Sequence, residues 1–203
     1  MNKSEACELV VDRSGGCCER CGRDGIQIDH RKNRSQIPRK SEQWHVSNLF
    51  GLCLWCHQWK TEHPDAAEAT GNYVRSFQDP ANVAVERLGV EVYLDDFGGY
   101  ELAQDRCRRI VSGRDEGRCQ RCGTLGPVRF HHRGGKQWRP ESTVTLCGGC
   151  HGWVTENPAE AAADGWTVLR REHGPDPDPA GVEVASFWGR VMYLPDGQRI
   201  EVA

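Results

Sequence analysis

Cysteine, histidine and aspartate recur along this chain in two sets. The first runs Cys18-x-x-Cys21, Asp29-His30, Cys53-x-x-Cys56-His57; the second runs Cys119-x-x-Cys122, His131-His132, Cys147-x-x-Cys150-His151. A CxxC pair brings two thiolates to one ion, and two such pairs complete a tetrahedral zinc site with no position left open for water. Each copy is therefore expected to hold one structural Zn²⁺, the first through Cys18, Cys21, Cys53 and Cys56, the second through Cys119, Cys122, Cys147 and Cys150. The adjoining Asp29, His30, His57, His131, His132 and His151 are then left over for other work. Taken singly, a histidine directly after a CxxC could instead be a zinc ligand or a packed surface residue.

The elements that must position these groups also come twice. The segment TEHPDAAEATG (61–71) matches TENPAEAAADG (155–165), in the same register as the second CxxC pairs, and VYLDDFG (92–98) loosely echoes VMYLPDG (191–197). Two tandem domains, 1–98 and 99–203, are expected, with Gly98-Gly99 as the joint. In each, a helix (4–13, 101–112) leads into the first CxxC. A strand ends on the histidines (26–30, 128–132), and a second strand (48–53, 143–147) turns into a helix carrying His57 or His151. A further helix is signposted by Asn157 as cap, Pro158 at its first position and Gly165 at its end. His63, Pro64 and Gly71 repeat that plan in the first half. Strands at 90–94 and 190–194 close each unit, and GPDPDPAG (174–181) reads as a turn or linker. The fold class expected is α+β, as two small zinc-braced domains with flanking helices and short terminal strands.

Composition supports the zinc. With 203 residues, 37% hydrophobic content and mean hydropathy of −0.67, each half has a thin apolar supply, and small domains of that kind usually need a metal or disulfides. Eight of the eleven cysteines fall into CxxC pairs, leaving Cys7, Cys17 and Cys107 without a role. No stretch reads as a signal peptide or membrane span, so a soluble cytoplasmic protein with no membrane partner is expected. The formal net charge is −3, and each four-thiolate zinc adds about −2, which argues against strong non-specific DNA affinity. Local cations remain: Arg31, Lys32, Arg34, Arg39 and Lys40 lie within residues 30–40, and six arginines lie within 106–121.

A histidine pair opposite a third histidine, on two strands and a helix braced by CxxC pairs, resembles the HNH endonucleases of the ββα-metal type. Residues 10–70 carry the likeness through "IDH…SNLFGLCLWCHQWK". Residues 105–170 resemble the HNH proteins of phages of actinobacteria through "FHH…TLCGGCHGWVTENPAEA". The resemblance implies cleavage of DNA phosphodiester bonds. His30, and His132 in the second copy, would be the general base, a role that an unperturbed pKa near 6.5 suits. Asp29 with His57, and His131 with His151, would hold a catalytic divalent ion (Mg²⁺, Mn²⁺ or Ni²⁺), and Asn48 would orient the loop around the base. Arg31, Lys32, Arg34, Arg39, Lys40 and Arg133 would contact DNA, and a further protein partner such as a phage packaging complex is compatible with the acidic balance.

Two departures mark the second copy: Ser142 stands where Asn48 is expected, and the loop from histidine to cysteine is shorter. Competing expectations are a non-catalytic zinc module that binds DNA or protein, and a mixed protein in which one repeat cuts and the other recognises.

Overall fold

Asn2 opens the first helix by accepting from the Glu5 amide while the Glu5 carboxylate accepts from the Asn2 amide, which satisfies two amides that a helix start leaves unpaired. The resulting helix α1 (Lys3–Ser14) stops at Gly15, in the left-handed region at φ 62°. The chain then enters the first CxxC pair, and β1 (Gln27–His30) pairs antiparallel with β2 (Leu49–Leu52), Asp29 opposite Phe50 and His30 opposite Leu49. Cys53 caps α2 (Leu54–Glu62), which is followed by α3 (Pro64–Ala69). A three-stranded meander, β3 (Val85–Arg87), β4 (Val90–Leu94) and β5 (Tyr100–Leu102), closes the unit.

The same order repeats in α4 (Ala103–Asp115), β6 (Val128–His132), β7 (Thr143–Cys147), α5 (Gly148–Glu156), α6 (Pro158–Ala163) and the meander β8 (Val184–Ser186), β9 (Gly189–Tyr193), β10 (Arg199–Glu201). These elements come from a computed structural model that describes residues 1–37, 39–135, 137–171 and 176–202, the side chains of Lys40 and Ser41 excepted. The chain is mixed α+β and divides into two compact units, Met1–Ala103 and Gln104–Ala203.

Both faces of β2 are buried, and strand alternation assigns each face its own layer. Leu49 packs with Ala6 and Val10 of α1, with Val46, Ile28 and Trp44 around them. Phe50 and Leu52 join Cys18, Cys53, Cys56, Val85, Val92 and Leu94 on the other side. Three of the four zinc-type cysteines are thus part of the hydrophobic core, Cys21 alone being exposed, and the second unit builds the equivalent cluster around Trp166, Tyr193 and Leu146.

Several expectations are corrected. Gly98-Gly99 is no domain joint but the turn of the β4–β5 hairpin, so the boundary moves to Ala103/Gln104. Strands 90–94 and 190–194 are not terminal, because β4 and β9 are the central strands of meanders. Asn157 makes no side-chain bond into α6; its Nδ2 instead donates to the Trp153 carbonyl at 2.9 Å, closing the end of α5. Part of GPDPDPAG lies outside the described residues.

The largest correction concerns Arg31 and Arg133, expected on the DNA surface. They are 0% and 1% exposed. Arg31 donates to the carbonyls of Gly71 (2.9 Å), Ser47 (2.9 Å), Pro80 (3.0 Å) and Val83 (2.7 Å). Arg133 donates to Gly165 (2.7 Å), Glu141 (3.1 Å) and Val182 (2.9 Å). Each guanidinium satisfies loop carbonyls that regular secondary structure does not reach, a use its fan of five donors allows.

Candidate functional site

Two four-cysteine clusters that could each hold a metal ion form as expected: Cys18, Cys21, Cys53 and Cys56, and Cys119, Cys122, Cys147 and Cys150. Thiolates at about 2.3 Å from a tetrahedral zinc stand ~3.8 Å apart. Cys21 and Cys53 sulfurs lie 3.7 Å apart, and those of Cys122 and Cys147 lie 3.9 Å apart. The donor set therefore fits zinc in both number and spacing.

The thiols also need the ion electrostatically. Burial raises the Cys18 thiol, but backbone hydrogen bonds at Cys53, Cys21 and Arg20 outweigh it and bring it down to about 7. Burial pushes Cys56 and Cys150 up to about 12, while hydrogen bonds from Thr124 bring Cys122 down to about 6. Four thiolates cannot ionise together in so small a volume without a cation among them. Arg20 supplies part of that charge: its guanidinium stacks 3.6 Å from the Trp59 ring and donates to Cys56 Sγ at 3.6 Å. Arg121 does the same between Trp153 (3.6 Å) and Cys150 Sγ (3.8 Å).

The leftover residues of the first unit split between the two faces of the hairpin. Asp29 faces α2, where its Oδ1 lies 3.3 Å from His57 Nε2 and its Oδ2 contacts the Lys60 ammonium. Lys60 is 8% exposed and also donates to the His30 carbonyl at 2.7 Å. Burial pulls the Lys60 ammonium's pKa down, and Asp29 opposes the shift.

His30 turns the other way. Its ring meets Trp44 edge-on at 5.1 Å and hydrogen-bonds to the Gln43 backbone, while its Nε2 is buried with no partner. Burial and the charge of Arg34 lower its pKa, so the imidazole is neutral at pH 7. Asn48 is almost fully buried; its Oδ1 accepts from the Lys32 amide at 2.7 Å, and its carbonyl accepts from the Arg31 amide at 2.7 Å. These bonds pin the chain just beyond His30.

In the second unit His132 keeps the arrangement of His30. Its Nδ1 pairs with the Gln137 carbonyl at 3.2 Å, and its ring meets Trp138 at 4.4 Å. His131 departs from Asp29: its Nε2 pairs with the Trp166 carbonyl at 2.9 Å, and its ring stands edge-on to His151 at 5.3 Å. Burial lowers the pKa of His131 and His132 alike. Ser142 does not replace Asn48, since its hydroxyl bonds back to the Arg139 carbonyl within its own turn.

Two features escaped the sequence reading. Lys60 stands one turn after His57, where Val154 stands in the second unit. The dipeptides Gln43-Trp44 and Gln137-Trp138, which cradle the two histidines, recur in the same register as the second CxxC pairs. That shared offset was the signal available.

Of the expected phosphate contacts, Arg34 and Arg39 are exposed and Lys32 is half-buried, with Arg39 paired to Glu42 at 3.2 Å. The side chain of Lys40 lies outside the described ones. The arginine run at 106–121 is largely committed internally: Arg114 to Asp115, Arg108 over Trp138 and Arg121 over Trp153. Among the described residues, no helix is long and apolar enough to cross a membrane. Compared with protein-family models, curated proteins and solved structures, the chain matches none.

Proposed function

We propose that the chain is a metal-dependent endonuclease of the HNH type that hydrolyses DNA phosphodiester bonds, with the first unit as its working site. The convergence of Asp29, on the strand that ends in a neutral His30, with His57 of α2 at 3.3 Å carries this reading. Asp29 and His57 are the residues that would hold a divalent ion, which when bound stabilises the charge developing on the phosphate. His30 serves as general base. Its lowered pKa keeps the ring unprotonated and able to take a proton, and Nε2, buried and orphaned in this structure, is the atom that a water admitted to the site would satisfy. Gln43, Trp44 and Asn48 hold the base and its loop in place. Lys32 and Arg34 are the loop cations assigned to phosphate contact.

For the second unit a binding role is favoured. His131 is engaged by the Trp166 carbonyl and Ser142 is turned inward, so the base is retained without the Asp-His pair or the side-chain half of the loop pin, the backbone bond from the Arg133 amide to the Ser142 carbonyl remaining.

The test is incubation of the zinc-loaded protein with supercoiled plasmid in Mg²⁺, Mn²⁺ or Ni²⁺, alongside His30→Ala, Asp29→Ala and His132→Ala. Nicking or linearisation lost in the first two variants and kept in the third is expected. No cleavage with any metal, in a protein that still shifts DNA on a gel, would move the whole chain to the binding-module reading. Cleavage lost only in His132→Ala would exchange the roles of the units.

A further inference from the structure

Lys60 sits one turn beyond His57 on α2, almost fully buried, with its ammonium on Asp29 Oδ2. The other oxygen of that carboxylate faces His57. One anion is thus shared between a fixed cation and the proposed ligand partner. The second unit lacks both members, having His131 for Asp29 and Val154 for Lys60. Exchanging the two together is what burial requires, because either charge alone would be left unpaired in a low-dielectric setting.

Building on the metal-dependent reading above, we infer that Lys60 is a positioning residue that limits how tightly the first unit takes a divalent ion at Asp29 and His57. Its contact with Oδ2 fixes the carboxylate so that Oδ1 points at His57. Its positive charge also opposes any second cation on the same carboxylate, since like charges that close repel well above thermal energy even at an effective dielectric near 20. The second bond, to the His30 carbonyl at 2.7 Å, keeps the ammonium from swinging away and ties the ligand side of the hairpin to the residue that carries the base. The two units would accordingly differ in ion affinity, and by a lysine rather than by their ligands alone.

Mn²⁺ binding to the zinc-loaded full chain, read from the electron paramagnetic resonance signal of free Mn²⁺, tests this directly. The proteins compared are wild type, Lys60→Gln, Lys60→Met and Asp29→Asn, each with far-ultraviolet circular dichroism and zinc content measured first. Lys60→Gln keeps a donor toward Asp29 without the charge, so it serves if Lys60→Met does not fold. The expected result is Mn²⁺ bound at least tenfold more tightly by folded Lys60→Gln than by wild type, with that binding absent in Asp29→Asn. Equal or weaker binding in Lys60→Gln, beside Asp29-dependent binding in wild type, overturns the role of Lys60 and leaves the nuclease reading standing. Binding that ignores Asp29 in every protein overturns both.

Discussion

Replacing Arg31 by methionine, which keeps most of the stem and removes the guanidinium, should cripple the first unit without any direct effect on DNA contact. Four hydrogen bonds are lost, the Pro80 carbonyl keeping the Val83 amide, and two of those bonds, to Gly71 and Ser47, are fully buried. An orphaned buried acceptor costs about 1–3 kcal/mol, and the two bonds nearer the surface are worth about 1 kcal/mol each once water replaces the donor. The sum is roughly 4–8 kcal/mol, from which the relief of no longer burying a charge subtracts several kcal/mol. A net loss of about 3 kcal/mol remains, a large share of the 5–15 kcal/mol that typically holds a domain. Urea unfolding of the zinc-loaded chain, followed by circular dichroism, should show an early transition for the variant with the second unit's transition unmoved. A change under about 1 kcal/mol, accompanied by weaker DNA binding, would refute the argument and return Arg31 to the surface role its charge first suggested.

Native mass spectrometry should find two zinc ions per chain, and Cys56→Ser should remove one of them; stripping both with a strong chelator should unfold the protein, since such sites supply on the order of 10 kcal/mol. His30, His131 and His132 should titrate below the usual imidazole value of about 6.5 in a carbon-resolved NMR titration. Their folded pKa values lie below the unfolded ones, so they cost nothing above pH ~6.5 and stability falls as pH drops from there toward the folded values; normal titration of all three would contradict the burial described. Gly71→Ala places a Cβ 1.8 Å from the Ala84 carbonyl oxygen at φ +68°, so a loss above about 2 kcal/mol is expected in thermal melts, and Gly165→Ala, at 1.9 Å from the Glu183 carbonyl oxygen, should do the same to the second unit.

The cysteine clusters were legible from sequence because one ion must be reached by a local pair, which fixes the CxxC spacing without help from the rest of the fold. Strand and helix placement followed for the same reason, since Asp29-His30 and His57 are spaced by the hairpin and the helix the cysteines brace. Lys60 was not legible as a site residue: its role depends on α2 lying across β1, and one turn of spacing from a histidine says nothing of what lies opposite. The arginines were misread because a cation is most often a surface group. Their signal was positional, as His30-Arg31 and His132-Arg133 both put arginine directly after the histidine that ends the strand, whereas the neighbouring Lys32 is Gly134 in the second copy. Asn157 was placed at the right helix boundary and given the wrong bond, because a cap sequence does not say which of two abutting helices the amide will serve.

The mouth of each hairpin closes with one bond, from the Arg31 amide to the Asn48 carbonyl and from the Arg133 amide to the Ser142 carbonyl, both 2.7 Å. What lies between differs greatly: residues 32–47 in one unit and only 134–141 in the other. The frame therefore clamps the ends of this loop and fixes its Gln-Trp cradle and the residues that lead back into the second strand, Val46 and Ser47 in one unit and Glu141 in the other, while the stretch between the clamp and the cradle differs in length and sequence. New sequence grafted between the clamp and the cradle should accordingly change what the loop presents to solvent while leaving the cysteine clusters and the core untouched.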